Sequence, residues 1–232
     1  MIAIRKNAAR GATRIDWLNS RHTFSFGDYR DPKFDGFRDL RVINEDFVIA
    51  GSGFGTHGHR DMEILSYVLE GELTHNDSTG TGSTIRPGEI QRMSAGSGIR
   101  HSEANGSKTN GVHFLQIWIE PSTLDLPPSY EQKTLPPITD DAQLDLIASE
   151  KGEGAAVTVH QDVRLYRATV KPGAKLDVPL AAGRYAWIQV ARGTATVNGQ
   201  ALATGDAAAL SDETAVHIEG TTQSELLVFD LV

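Results

Sequence analysis

Cysteine is absent from the 232 residues. That excludes disulfides, thiolate metal sites and cysteine nucleophiles, so any metal must be held by imidazole and carboxylate. Positive charge is scarce as well: 22 Lys and Arg stand against 30 Asp and Glu, a formal net charge of -8. Without a concentrated basic face, direct nucleic-acid binding is excluded. Long apolar runs are also missing. No stretch approaches the roughly 20 apolar residues of a membrane span, and no run of signal-peptide length follows Arg5, Lys6 and Arg10. The expectation is a cytoplasmic protein with no membrane contact.

What is present is a core-forming composition, 39% hydrophobic with 22% charged, which suits a folded globular chain. Short segments rich in Val, Ile, Tyr, Phe and Thr recur at residues 64–69, 112–119 and 185–190, divided by Gly, Pro, Asn and Asp. This is an all-β pattern. Asn198-Gly199, between two such segments, predicts a hairpin. Pro121, Pro127, Pro128, Pro136 and Pro137 break the strand rhythm and place a boundary between domains. The organisation expected is an N-terminal metal-binding barrel over 1–125, a proline-rich linker over 126–140 and a C-terminal barrel without metal over 141–232. After the prolines, the spacing of Leu144, Ile147 and Ala148 predicts a helix over 140–149.

A weak internal repeat supports two related domains. Residues 67–71 resemble 188–193, Pro87-Gly88-Glu89 resembles Thr204-Gly205-Asp206, and His101-Ser102-Glu103 resembles His217-Ile218-Glu219. At the offset of His57 the second half has no histidine, only residues 175–179, so the second barrel is expected to bind no metal.

The chemistry concentrates in two dyads. Alternate residues of a strand share a face, so His57-x-His59 turns two imidazoles to one side, and His101-x-Glu103 does the same for an imidazole and a carboxylate. Paired across a sheet, they make a three-nitrogen, one-oxygen site. That set suits Fe(II), Mn(II), Ni(II), Co(II), Cu(II) or Zn(II), and four protein ligands leave an octahedral ion two open positions. Glu63 follows at the same parity as His57 and His59, as a ligand, a base or a hydrogen-bonding neighbour. His113 lies in an alternating strand, where a core role is favoured, and Phe54 offers an apolar wall. His22, His75 and His160 are solitary, with surface or hydrogen-bonded roles.

Gly51-x5-His57-x-His59-x3-Glu63 resembles the first motif of the cupin superfamily, and Gly98-x2-His101 the second. Residues 25–26, 41–44, 55–64 and 93–103 resemble the pirin family, strongly over about residues 15 to 135 and more weakly beyond. Gly58 stands where many relatives have proline, a change expected to loosen a loop. The resemblance implies two antiparallel jelly-roll cupin barrels packed face to face, with metal ligands at His57, His59, His101 and Glu103 and Glu63 outside the ligand set. It implies Fe(II) as the first choice of metal, with Ni, Mn, Co, Cu or Zn as alternatives. Bacterial pirins are similar to quercetin 2,3-dioxygenases, so a flavonol and dioxygen are the implied substrates of an enzyme expected to be monomeric, Glu103 or Glu63 being the catalytic base. The competing implication, from eukaryotic pirins, is a metal- or redox-sensing protein that modulates transcription regulators through a protein partner.

Overall fold

The computed structural model describes all 232 residues. From the N-terminus the strands are β1 (Ile2–Arg5), β2 (Gly11–Arg14), β3 (Leu18–His22), β4 (Leu40–Val48), β5 (Gly53–His59), β6 (Glu63–Glu70), β7 (Leu73–Asp77), β8 (Gly82–Ile85), β9 (Glu89–Ser94), β10 (Ile99–Asn105) and β11 (Val112–Ile119). There follow β12 (Ser129–Thr134), β13 (Ala142–Ser149), β14 (Val157–Thr158), β15 (Arg164–Val170), β16 (Lys175–Pro179), β17 (Tyr185–Arg192), β18 (Thr194–Val197), β19 (Gln200–Ala203), β20 (Ala207–Leu210), β21 (Ala215–Gly220) and β22 (Ser224–Leu231). A single 3-10 turn, Asn7–Ala9, is the one helical element. No helix is long and apolar enough to cross a membrane.

Two compact units divide the chain. The N-terminal unit holds residues 11–135 and 157–161; the C-terminal unit holds Met1–Arg10, Pro136–Ala156 and Asp162–Val232. The first strand, expected in the N-terminal barrel, thus pairs with β20 of the C-terminal unit. The stretch expected as a linker also contains a strand. Prolines flank residues 129–134 without interrupting them, and β12 pairs with β9 from Ser129↔Ser94 to Thr134↔Glu89.

Each unit is a sandwich of one large and one small antiparallel sheet, open at its edges instead of closed into a continuous barrel. In the N-terminal unit a seven-stranded sheet ordered β12-β9-β6-β11-β4-β3-β2 covers a four-stranded sheet ordered β5-β10-β7-β8. The C-terminal unit repeats the plan, with β20-β17-β22-β15-β13 in its large sheet and β16-β21-β18-β19 in its small one. The Asn198-Gly199 hairpin forms as expected, Asn198 at φ 44 and Gly199 at φ 79 joining β18 to β19.

Residues 140–149 are not helical. Ala142–Ser149 form β13, and a bulge between Leu146 and Ala148 adds a residue there. The extra residue makes the apolar positions step by three across the bulge, which imitates helical spacing in the sequence.

The registers also correct the internal repeat by one residue. Gly71 and Gly193 are equivalent, each at positive φ with a backbone carbonyl where a Cβ would sit, that of Gly111 and that of Gln223. Counting from them, His75 corresponds to Val197. The pairings His75↔Glu103 and Val197↔Ile218 then match Glu103 to Ile218, His101 to Val216 and His57 to Val178. His217 sits on the opposite, exposed face and bonds Asp177 at 2.7 Å. A slip of one residue along a strand exchanges its faces.

The inward stripe of the N-terminal unit places the polar site between two apolar clusters. Val68, Val112 and Phe114 join Leu18, Val48, Leu73 and Ile85 on one side. Ile64 and Trp118 join Met93, Ala95 and Ile99 on the other. Between them, at the same parity on β6 and β11, stand Ser66 and Gln116.

Candidate metal centre

β10 lies between β5 and β7, so its inward residues have neighbours on both sides. His101 is level with His57 and with Asp77; Glu103 is level with His75. A bulge between His101 and Glu103 sets Glu103 opposite Phe54. The two sequence dyads therefore do meet across a sheet. Donor atoms of His57, His59 and His101 lie within 4.8 Å of one another, as do those of His75, His101 and Glu103.

The individual contacts suit metal coordination. The His57 Nδ1 is 2.8 Å from the Gly55 carbonyl, so it carries the proton and leaves the Nε2 lone pair free. That Nε2 lies 3.1 Å from the Nε2 of His101. The Nε2 of His59 is buried and has no hydrogen-bond partner, a costly arrangement for a polar atom unless something else binds it. Burial first, then the charge of His57, lowers the pKa of His59 to about 4. Burial, then His57, His59 and His75, lowers that of His101 to about 3. Both are neutral near pH 7, the form that ligates.

Glu103 brings a carboxylate beside His75 and His101. It accepts from Ser66 Oγ at 3.1 Å and from Gln116 Nε2 at 3.2 Å, linking the small sheet to the large one. Burial raises its pKa to about 7 despite those two hydrogen bonds.

Glu63 is placed elsewhere. Asp61 adopts φ 48 and donates its N–H to the Gly96 carbonyl, which ends β5 and breaks the parity count before Glu63 begins β6. Glu63 is three residues from inward-facing Ser66, hence on the other face of that strand. There its buried carboxylate accepts from Ser94 Oγ at 2.9 Å and lies 3.3 Å from His160 Nδ1. His113 also faces away from the cluster, with Nε2 3.0 Å from Glu45 and its ring stacked on Phe47. Gly58 is a strand residue paired with Arg100, not part of a loop.

Two histidines read as solitary belong to the site's surroundings. His75 is wholly buried, its Nδ1 3.4 Å from His101 Nδ1 and its Nε2 2.9 Å from Asp77. The signal was present in the sequence, because His75-x-Asp77 has the same spacing as the two recognised dyads. Burial raises the Asp77 carboxyl, but hydrogen bonds from Thr79, His75 and the Thr81 backbone outweigh it and hold the pKa below the usual value. His22 lies at the cleft, 2.8 Å from both Thr13 Oγ1 and Asn44 Oδ1; no sequence spacing marked it.

A cleft of about 140 Å³ opens on His57, His59 and Glu103, walled by Phe26, Phe54 and Trp118. The Trp118 ring stands edge-on to His59 at 4.9 Å, and its buried Nε1 has no acceptor in the protein. A larger groove of about 370 Å³ around Trp17, Phe47 and His113 contains none of the donors, so the chemistry is assigned to the smaller one.

Together these features define a two-domain cupin whose N-terminal domain carries the donor set of a metal centre. The Pirin family profile matches residues 4–119 and that of the quercetinase C-terminal cupin domain matches 146–231. The chain belongs to the pirin family. A quercetin 2,3-dioxygenase of Escherichia coli K12 is 46% identical over 231 residues, spanning 100% of this chain and 99% of the relative. A putative quercetin 2,3-dioxygenase of Pasteurella multocida is 40% identical, spanning 100% of both. The crystal structure of the bacterial pirin YhhW in complex with nickel(II), from Escherichia coli, is 46% identical with TM-score 0.94, covering 100% of this chain and 99% of that one.

Proposed function

We propose that the protein is a metal-dependent dioxygenase that opens the heterocyclic ring of flavonols such as quercetin, consuming dioxygen and releasing carbon monoxide. The metal is a divalent transition ion, Fe(II) or Ni(II) foremost, held by His57, His59, His101 and Glu103. The observation that carries this reading is the convergence of neutral imidazoles on the buried, unpartnered Nε2 of His59. The names of the close relatives supply the substrate class.

A divalent ion bound there supplies a Lewis acid that lowers the pKa of a coordinated hydroxyl. The remaining work falls to side chains. Glu103, which lines the cleft, is the base that takes the proton of the flavonol 3-hydroxyl. Ser66 and Gln116 fix its carboxylate. Phe26, Phe54 and Trp118 give an aromatic substrate apolar walls and keep water from its reactive edge. At about 140 Å³ the cleft is smaller than the ~300–1,000 Å³ of typical ligand pockets, so it admits the chelating end of a flavonol and leaves the far ring at the mouth.

The test is oxygen uptake with quercetin by protein reconstituted anaerobically with Fe(II) or Ni(II). Ring-opened product and carbon monoxide should appear together, faster than with free metal, and His101→Ala should abolish both. Turnover no faster than metal alone would overturn the assignment.

A further inference from the structure

We propose that Asp77 and His75 are positioning residues that select the tautomer of His101, and so decide whether its Nε2 can bind a metal; this rests on His101 being a ligand, as argued above.

The hydrogen-bond pattern assigns the protons in sequence. Asp77 has no exposed side-chain surface, and its two oxygens have separate tasks. Oδ1 accepts the Thr79 N–H at 2.8 Å, the Thr79 hydroxyl at 2.6 Å and the Thr81 N–H at 3.2 Å. Oδ2 faces His75 Nε2 at 2.9 Å. A carboxylate only accepts, so His75 carries its proton on Nε2 and presents a lone pair at Nδ1. That lone pair faces the Nδ1 of His101 at 3.4 Å. His101 must then donate from Nδ1, which leaves its Nε2 unprotonated beside the unprotonated Nε2 of His57, 3.1 Å away. Two lone pairs directed at one point are a metal-binding arrangement; the opposite tautomer would place a proton there. The two neighbours that level β10 on its β7 side thus set the ligand state on its β5 side.

Asp77→Asn is the sharpest variant. Its shape is nearly unchanged, but Thr79 and Thr81 require an acceptor at the Oδ1 position, so the amide nitrogen must face His75. His75 then accepts at Nε2, carries its proton on Nδ1, and pushes the His101 proton to Nε2. The relay reverses.

The experiment has two readouts. Two-bond proton–nitrogen NMR of the metal-free protein reports which ring nitrogen of His101 is protonated: Nδ1 in the wild type, Nε2 in Asp77→Asn. Competition of Ni(II) against a chromophoric chelator reports affinity, expected to fall roughly 10- to 100-fold in Asp77→Asn. His75→Phe removes the relay without reversing it and should lose less affinity than Asp77→Asn, and adding Asp77→Asn to His75→Phe should change nothing further. A structural role alone predicts the reverse order, because the histidine replacement disturbs the buried packing more. The proposal is overturned if His101 keeps its proton on Nδ1 in Asp77→Asn, if affinity stays within twofold of wild type, or if the wild type binds two equivalents, one between His75, His101 and Glu103. Should the wild type bind no Ni(II) at all, the metal reading fails while the NMR still decides the tautomer.

Discussion

Glu103 is the residue whose environment makes the clearest measurable demand. With a pKa about 7 in the metal-free protein, it is mostly protonated at pH 6. His59 and His101, at about 4 and 3, are already neutral there. Metal binding at pH 6 should therefore release close to one proton from this carboxyl, and almost none at pH 8.5. Calorimetry in buffers of different ionisation enthalpy measures the difference, and equal release at both values would refute it. The two glutamates proposed from the sequence should also separate. Glu103→Gln is expected to lose metal and turnover, whereas Glu63→Gln, bonded to Ser94 and His160 on the far face of β6, should retain metal. Trp118→Phe removes an indole N–H that has no acceptor in the protein. Its metal content should hold, and a rise in KM for the flavonol without that loss would identify the indole as a substrate contact.

At the scale of the strand, β5 reaches β10 only because Gly53 has no side chain: a Cβ there would lie 2.4 Å from the Ala104 Cα and the Glu103 carbonyl. Gly53→Ala should cost about 1–3 kcal/mol of stability and lower metal occupancy as well, since the same strand carries His57 and His59. Chemical denaturation and metal analysis would show it, and an unchanged value of both would sink the idea. Strands also show why the sequence was legible only in part. The two dyads could be read because alternation holds within β5 and within β10, and the family motifs added their own support. The parity that grouped Glu63 with His57 and His59 does not carry across the left-handed Asp61. The expected helix at 140–149 was a bulged strand, and the misplaced repeat was a register slip of one residue. Each error came where a single residue breaks the period of two, and no composition signal marks such a residue.

For the molecule, acid is the lever. His59 and His101 have folded pKa values below the ordinary 6.5, so the unfolded chain binds their protons first and stability falls as pH drops below about 6.5. Glu103 acts in the opposite sense: its folded pKa exceeds 4.5, so its contribution is complete below 4.5 and is lost as pH rises through about 7. Two protons against one leave a net uptake of about one on unfolding between pH 4.5 and 6.5, or about 1.4 kcal/mol per pH unit. The metal-free protein should melt earlier at pH 5 than at pH 6.5, and a higher midpoint at pH 5 would contradict this. Metal should protect by mass action only where it binds. Hydrogen exchange should slow in β5, β7 and β10 and not in β16, β18 and β21.

The repeat itself shows what the N-terminal unit gave up to hold these donors. Where it has His57, His75, His101 and Glu103, the other unit has Val178, Val197, Val216 and Ile218, all buried in a continuous aliphatic core. The protein thus contains its own control: one sandwich selected for a reactive interior and another, of the same strand order, for cohesion. Exchanging buried polar groups for well-packed hydrophobic ones often stabilises by about 1–4 kcal/mol. Writing the aliphatic pattern into the first sandwich, as His57→Val, His101→Val and Glu103→Ile together, should yield an inert domain that resists denaturant better than its metal-free parent, the trade of function against stability made visible within one chain.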